Sequence, residues 1–262
     1  MRTRVMLFVL LAAALMNGQS KDPKNLYGRA INALSGAGPS RDFLGAIDLL
    51  KQSAQLGYTP AQTAYGYVLE TGFHVAAFPR DAAEWYRQAA EKGDDTAAWL
   101  LGRMYLIGLI PGGPQEREKW LRAAADAGNP FGAYLLAVSL DDRDPNAAIP
   151  FFKAAAEKGL PFAQLGYAQA LSDGRAATLN KHEAYVWFMI AYDAGIQEAQ
   201  VPLQLLEGDL GSAEVERAKT AARELEPKVL RSNNARGCTG WDGELDKIPS
   251  PPPLLSAICR VG

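Results

Sequence analysis

The sequence predicts an all-α protein that folds as an α-solenoid of about five antiparallel helix pairs. A short phrase of small residues that ends in glycine closes five stretches of the chain, and small residues recur at helical spacing around it. The glycines lie 36, 35, 31 and 36 residues apart: Gly57, Gly93, Gly128, Gly159 and Gly195. A fixed period in this range is typical of one supersecondary unit that is copied and stacked. Partner binding is therefore a better first expectation than catalysis.

The first twenty residues have the pattern of a secretory signal. Arg2 and Arg4 form a positive start, residues 5–16 are an unbroken apolar run, and small or polar residues follow. A run of this length is shorter than the roughly 20 residues that a membrane-spanning helix needs. We therefore expect residues 1–20 to direct export to the periplasm or medium, with no stable membrane insertion after their removal. An uncleaved membrane anchor is the alternative.

The helix that ends at each glycine has recognisable start and packing signals. Pro79, Pro114 and Pro145 lie fourteen residues before their glycines, where the first helical turn tolerates a missing N–H. In the slot one residue earlier, good N-cap residues occur in three units: Asp42, Asp144 and Asn180. Large side chains eight residues before the glycine and small ones three or four before it share one helix face. The glycine is expected to end the helix in the left-handed conformation.

A second helix follows each glycine. Small residues stand four positions after all five glycines: Ala61, Ala97, Gly132, Ala163 and Ala199. A second set nine positions after the first four glycines lies on the same small face. Each unit is therefore predicted to be two antiparallel helices that approach closely through small faces. Residues 24–42 are interpreted as a degraded first helix, with Leu26, Ala30 and Leu34 on one face.

The last 32 residues, 231–262, change in composition. The Ser232-Asn233-Asn234 sequence is expected to end the helix, and a proline-rich run follows it. The two cysteines of the chain, Cys238 and Cys259, are expected to form a disulfide, as an even number in an exported chain favours. Two independent thiols are the alternative. We interpret this tail as a disulfide-closed cap on the end of the solenoid, or otherwise as a proline-rich docking segment for another protein.

The composition and motifs argue against several other classes of function. The net charge is −2 and no long basic run occurs, so nucleic acid is not expected as a partner. The two histidines, His74 and His182, lie in different units, and no motif for a nucleophile or phosphate-binding loop is found. The acidic run at 141–144 lacks the spacing of a calcium-binding loop and is interpreted as a turn with an N-cap. We therefore expect no metal, no cofactor and no catalytic residue.

At these repeated phrases the chain resembles the Sel-1-like repeat family. The resemblance covers residues 43–195, with the Ala-Ala-x-x-Gly phrase, the segment Leu101-Gly102-x-x-Tyr105 and the helix containing Trp85 as matching elements. Residues 196–230 resemble the polar final helix that often follows such repeats, so the solenoid is placed at residues 24–230. The resemblance implies a right-handed α-solenoid, related in shape to tetratricopeptide repeats, with a concave surface lined by the helices that follow the glycines.

Four side chains are predicted to line a groove on that surface: Tyr67, Trp99, Arg103 and Tyr134. They stand six or ten residues after a glycine, at positions expected to be free of packing, and aromatic residues and arginine are frequent interface hot spots. Ordinary packing between units is the alternative for Trp99 and Tyr134. The hypothesis is a non-catalytic scaffold or regulator of the cell envelope that binds a protein or peptide. The alternatives are a hydrolase acting on cell-wall material and a structural assembly factor of an envelope complex.

Overall fold

The computed structural model describes residues 22–34, 42–174 and 179–236, with side chains to residue 229. Within these ranges the chain forms twelve α-helices and one 3₁₀ helix, and no strand. The described residues divide into two compact units, 22–94 and 95–236. The predicted signal at residues 1–20, and the cysteines Cys238 and Cys259 with the proline run, lie outside the described residues. The disulfide therefore stays a prediction.

Consecutive helices pack as pairs in both units, as the repeated phrases predict. The first unit contains α1 (Pro23–Leu34), α2 (Phe43–Gln55), α3 (Thr59–Thr71) and α4 (Pro79–Ala90). The second contains α5 (Asp95–Leu106), α6 (Pro114–Asp126), α7 (Pro130–Asp141), α8 (Pro145–Glu157), α9 (Pro161–Ser172), α10 (Lys181–Asp193), the 3₁₀ turn Gln197–Ala199, α11 (Gln200–Leu210) and α12 (Ser212–Arg236). The expected first helix is confirmed as α1, since Leu26, Ala30 and Leu34 are buried.

The five phrase glycines end their helices with the same local geometry. Each has a positive φ, between 84° and 95°. In the first copy the Gly57 N–H donates to the Ala54 carbonyl at 2.9 Å, and the Tyr58 N–H donates to the Ser53 carbonyl at 3.3 Å. The other four copies make the same pair of bonds. This is the Schellman motif, which satisfies carbonyls that the end of a helix leaves without partners. The predicted left-handed termination is confirmed.

The predicted N-caps are also confirmed. The side chains of Asp42, Asp144 and Asn180 accept hydrogen bonds from the backbone N–H three residues later, at 2.8, 3.1 and 3.0 Å. Such a bond satisfies one of the donors that the first turn of a helix leaves open. Pro79 and Pro145 stand at the first position of α4 and α8, as expected.

Small residues let neighbouring helices approach closely. A Cβ added at Gly66 would lie 2.8 Å from the Tyr86 ring, and one added at Gly102 would lie 2.6 Å from Leu121 Cδ2. The Cβ that alanine would place at Gly132 would lie 2.4 Å from the Ala124 Cβ. Carbon atoms normally stay about 3.5–4.0 Å apart. The helices after the glycines therefore carry small faces because larger ones would hold the pairs apart.

A buried glutamine ties consecutive helices together in each unit. The Gln62 Nε2 donates to the Ala54 carbonyl at 3.3 Å, and Lys92 Nζ donates to the Gln62 Oε1 and to the Gly57 carbonyl, both at 3.0 Å. In the second unit Gln164 Nε2 donates in the same way, to the Ala156 carbonyl at 3.4 Å.

The hydrogen bonds around Gln164 lack a counterpart of Lys92. The position of Lys92, one residue before its glycine, is taken by Ala194 before Gly195. Within the described part of the chain the buried Gln164 Oε1 has no hydrogen-bond partner. An unpaired buried acceptor costs about 1–3 kcal/mol. The second unit therefore keeps a local defect that the first unit does not have.

The last helices cover a face that is exposed in the earlier copies. The positions nine and five residues before the glycine hold Val186 and Ile190 in α10, which are 5% and 3% exposed. The same positions in α4 hold Glu84 and Gln88, which are not buried. Helix α10 packs against α11 and α12, and His182, one turn before Val186, contacts Glu214 of α12. The outer face of the last copy is thus apolar because the chain itself covers it.

The expected helix end at Ser232-Asn233-Asn234 is wrong, because α12 continues to Arg236. Serine and asparagine lower helix propensity by well under 1 kcal/mol per residue relative to alanine, and no glycine or proline stands there. Among the described helices, none combines the length and the apolar character needed to cross a bilayer.

Candidate partner-binding surfaces

The predicted groove residues are distributed over both units, and most of them are buried. Tyr67 lies in α3 of the first unit, and Trp99, Arg103 and Tyr134 lie in α5 and α7 of the second. Tyr67, Trp99 and Arg103 are 2%, 1% and 2% exposed, so their expected exposure needs correction. The Trp99 ring packs on Phe131 with centroids 5.0 Å apart, and the Arg103 guanidinium lies 6.0 Å from the Trp99 ring centre. Burial favours the packing alternative for Trp99, and partner binding by the four residues stays a prediction.

Part of the same helix face in the second unit does reach solvent. Tyr134 is partly exposed, and burial raises its pKa above the ordinary value. Val138, one turn further along α7, is 41% exposed. Leu165 and Gln169 stand at the corresponding positions of α9 and are also partly exposed. These four residues, called the α7–α9 face below, are uncharged and stand at equivalent positions of two helices of the second unit.

The first unit contains a cleft that the sequence did not predict. It lies between α2, α3 and α4 and encloses about 390 Å³. Tyr65 and Trp85 form its floor, with ring centroids 5.6 Å apart and planes at 74°. Trp85 was recognised as a packing residue, whereas Tyr65, eight positions after Gly57, was not singled out. The available signal was the aromatic residue at that position in two copies, Tyr65 and Tyr167. We call this feature the Tyr65–Trp85 cleft.

The second unit contains a larger cavity of about 550 Å³, beside α9, α10 and α11. Phe188 and Leu206 supply apolar walls, and Lys181 Nζ lies 2.8 Å from Asp209 Oδ2 at its edge. Leu205, which also lines the cavity, is 68% exposed. The lining of this cavity is therefore partly apolar and partly charged.

The two histidines lie in different units and make different contacts. His74 is exposed and stacks on Phe43, with ring centroids 4.3 Å apart. His182 contacts Glu214, which also pairs with Arg217. The hydrogen bond from Arg217 is the main cause that lowers the pKa of Glu214. Within the described ranges, no group of three histidine, cysteine or acidic residues could hold a metal ion.

In each unit, antiparallel helix pairs that are closed by one glycine motif and approach through small faces define an α-solenoid repeat protein. A sequence model of the Sel1 repeat matches residues 25–58, 59–94, 96–129, 132–160 and 161–196. The chain belongs to the Sel1 repeat family. Proteins of this family are generally non-catalytic scaffolds that mediate protein interactions.

Known proteins of this kind share the fold. The structure superposes on a Sel1 repeat protein from Oxalobacter formigenes with a TM-score of 0.64 and 23% identity, covering 78% of this chain and 88% of that one. A protective antigen present in uropathogenic Escherichia coli strains, with an SLR fold, gives a TM-score of 0.51 at 21% identity, covering 89% and 58%. These likenesses support the α-solenoid fold.

A curated relative is the chitin synthase regulator SKT5 of Saccharomyces cerevisiae. It is 26% identical over 171 residues, which is 65% of this chain. The chain spans only a fifth of the length of that protein, since the match covers 20% of it.

Proposed function

We propose that the protein is a non-catalytic scaffold or regulator of the cell envelope that holds a protein or peptide partner on the helices that follow the glycines. The five Sel1 repeats carry the proposal, because proteins built from stacked repeats typically bind partners on surfaces formed by the side chains of successive repeats. A regulatory role is in keeping with SKT5, which is named as a regulator of chitin synthase.

The α7–α9 face is the part of this surface that is best placed to contact a partner. Its side chains combine an aromatic ring, two aliphatic groups and one amide, and all four are at least partly exposed. Interface cores are typically apolar with aromatic anchors and few charges. The buried Trp99 and Arg103 would support this face from below, through the contact of Trp99 with Phe131 of α7.

The envelope location rests on the signal pattern of residues 1–20. Fractionation of cells that produce the full chain, with sequencing of the mature N-terminus, tests it. We expect the protein in the periplasmic or extracellular fraction with the segment removed. Recovery from the cytoplasm with residue 1 intact would refute export without touching the binding proposal.

Affinity capture from an envelope fraction, followed by measured binding of the purified partner, tests the surface. Val138→Glu should weaken that binding about tenfold or more, because a partner would have to bury an unpaired charge. Ala154→Glu is the matched control, since Ala154 is exposed on α8 outside this face. Equal binding by both variants would contradict the proposed surface. Hydrolysis of cell-wall polymer by the purified protein would contradict the non-catalytic assignment.

A further inference from the structure

The Tyr65–Trp85 cleft combines an aromatic floor with an acidic rim. Phe78 adds a third aromatic ring and is 49% exposed, which is a large apolar exposure for a side chain beside a cavity. Asp81 and Glu84 of α4 line the cleft, and both are exposed. Aromatic faces attract cations, and the attraction grows where carboxylates stand beside them.

The electrostatic field at the floor is dominated by acids. Burial first, and then the charges of Asp81 and Asp48, raise the pKa of the Tyr65 hydroxyl. Basic groups are also near: Lys51 lines the cleft, and Arg87 pairs with Glu84 on the exposed side of α4. Around the cleft, Asp48, Asp81 and Glu84 therefore outnumber Lys51 and Arg87, and both charges that raise the pKa of Tyr65 are acidic.

The last copy of the repeat contains the same pair of aromatic rings, and both residues are buried there. Tyr167 and Trp187 there repeat the geometry, with ring centroids 5.7 Å apart and planes at 73°. The Tyr167 hydroxyl donates to Glu183 at 3.1 Å, and Glu183 stands at the position of Asp81. The side chain of Asp81 is one methylene shorter than that of Glu183.

The rim positions are polar in the first unit and apolar in the last copy, where another helix packs nearby. In the last copy the positions of Glu84 and Gln88 hold the buried Val186 and Ile190, on the face of α10 that packs against the chain's own C-terminal helix. In the last copy, where these rim positions are apolar, α12 packs against the helix that carries them. In the first unit the rim carries Asp81 beside the Glu84–Arg87 ion pair, so a segment that covers it should bring a positive charge to Asp81 and not bury that carboxylate without a counter-charge.

We propose that the Tyr65–Trp85 cleft binds a basic segment of a partner protein, with a lysine or arginine side chain held over the Tyr65 and Trp85 rings beside Asp81 and Glu84. This site is separate from the α7–α9 face and does not depend on it. Aromatic packing supplies the apolar contact, and the carboxylates select the charge of the segment.

Binding of labelled peptides to the full-length protein, followed by fluorescence anisotropy, tests the proposal. The probe is a short peptide of alternating lysine and leucine, compared with its glutamate–leucine and glutamine–leucine counterparts. The wild type should prefer the lysine peptide, and its affinity should fall as salt concentration rises. The double variant Asp81→Asn/Glu84→Gln keeps the shape of the rim and should lose roughly tenfold in affinity.

Two further variants separate the cleft from general electrostatics. Glu116→Gln removes the exposed acid at the position of Asp81 in the next copy, where Leu101 replaces Tyr65, and should leave the affinity unchanged. Trp85→Leu keeps an apolar side chain but removes the indole ring, and should weaken lysine-peptide binding. Circular dichroism must show that each variant is folded. No binding to the wild type, no preference over the two counterpart peptides, or equal losses from Glu116→Gln and the double variant would overturn the proposal.

Discussion

The contact between Gly132 of α7 and Ala124 of α6 gives the sharpest test of the packing. Gly132→Ala would place a Cβ 2.4 Å from the Ala124 Cβ and 3.2 Å from backbone atoms of Ala124 and Ala125. No rotamer change relieves a clash between a methyl group and backbone, so the two helices must move apart by roughly 1 Å. Overpacking of this kind costs about 1–3 kcal/mol, against about 1 kcal/mol gained in helix propensity. We therefore expect the free energy of unfolding to fall by up to about 2 kcal/mol.

Urea unfolding of the full chain, followed by circular dichroism, measures this loss. Gly208→Ala in α11 is the control, because a Cβ there meets nothing within 4 Å, and it should stabilise by about 0.5–1 kcal/mol. The double variant Gly132→Ala/Ala124→Gly moves the methyl group from one helix to the other. The double variant should lose less free energy of unfolding than the sum of the two single variants, by more than about 1 kcal/mol. A difference of ~1.4 kcal/mol corresponds to a tenfold change in the folding equilibrium. Stabilisation by Gly132→Ala, or strictly additive effects, would refute the close-approach argument.

Three further results are expected from the described contacts. Asp144→Ala should cost about 1 kcal/mol by urea unfolding, because it removes the N-cap of α8, whereas Asp142→Ala in the same turn should be nearly neutral. The pKa of Tyr167 is raised by burial and by Glu183, so the folded state favours the protonated hydroxyl. The contribution of Tyr167 to the free energy of unfolding should therefore be fully present below the unfolded pKa of 10.0 and should decline as the pH rises above it. In parallel urea titrations between pH values of about 9 and 11, Tyr167→Phe should reduce that decline. Ala194→Lys should raise the midpoint of thermal unfolding by supplying the donor that the unpaired glutamine oxygen lacks, and Ala194→Met, which has similar length but no donor, should not.

The helix boundaries could be predicted because the forces that set them are local. A Schellman motif at Gly57 joins residues within five positions of one another, and the N-cap bond of Asp42 spans three. Such signals can be recognised in any sequence that repeats them. The same reasoning was wrong at Asn233. The low helix propensity of serine and asparagine was taken to end the helix, although it differs from that of alanine by only a fraction of a kcal/mol per residue.

The surfaces could not be predicted in the same way. Tyr67 and Trp99 stand at positions that looked available for a partner, yet they are buried. Tyr65 and Trp85 were separated by twenty positions, and only the packing of α3 against α4 brings their rings together. Whether an aromatic residue faces a cleft or a neighbouring helix depends on contacts between distant segments. The spacing of residues along the sequence does not report those contacts.

By itself, the amino-acid sequence determined the all-α class, the number of glycine-closed helices and the small faces through which they pair. These features follow from backbone conformation and residue volume within a few turns of one helix. Only the tertiary structure decided that Val186 is buried on a helix that packs against α12 while Glu84 remains at an open rim, and that the Gln164 side-chain oxygen is buried without a partner among the described residues. Burial and pairing are properties of neighbours in space, and identical positions in successive repeats acquire different neighbours at the two ends of the chain.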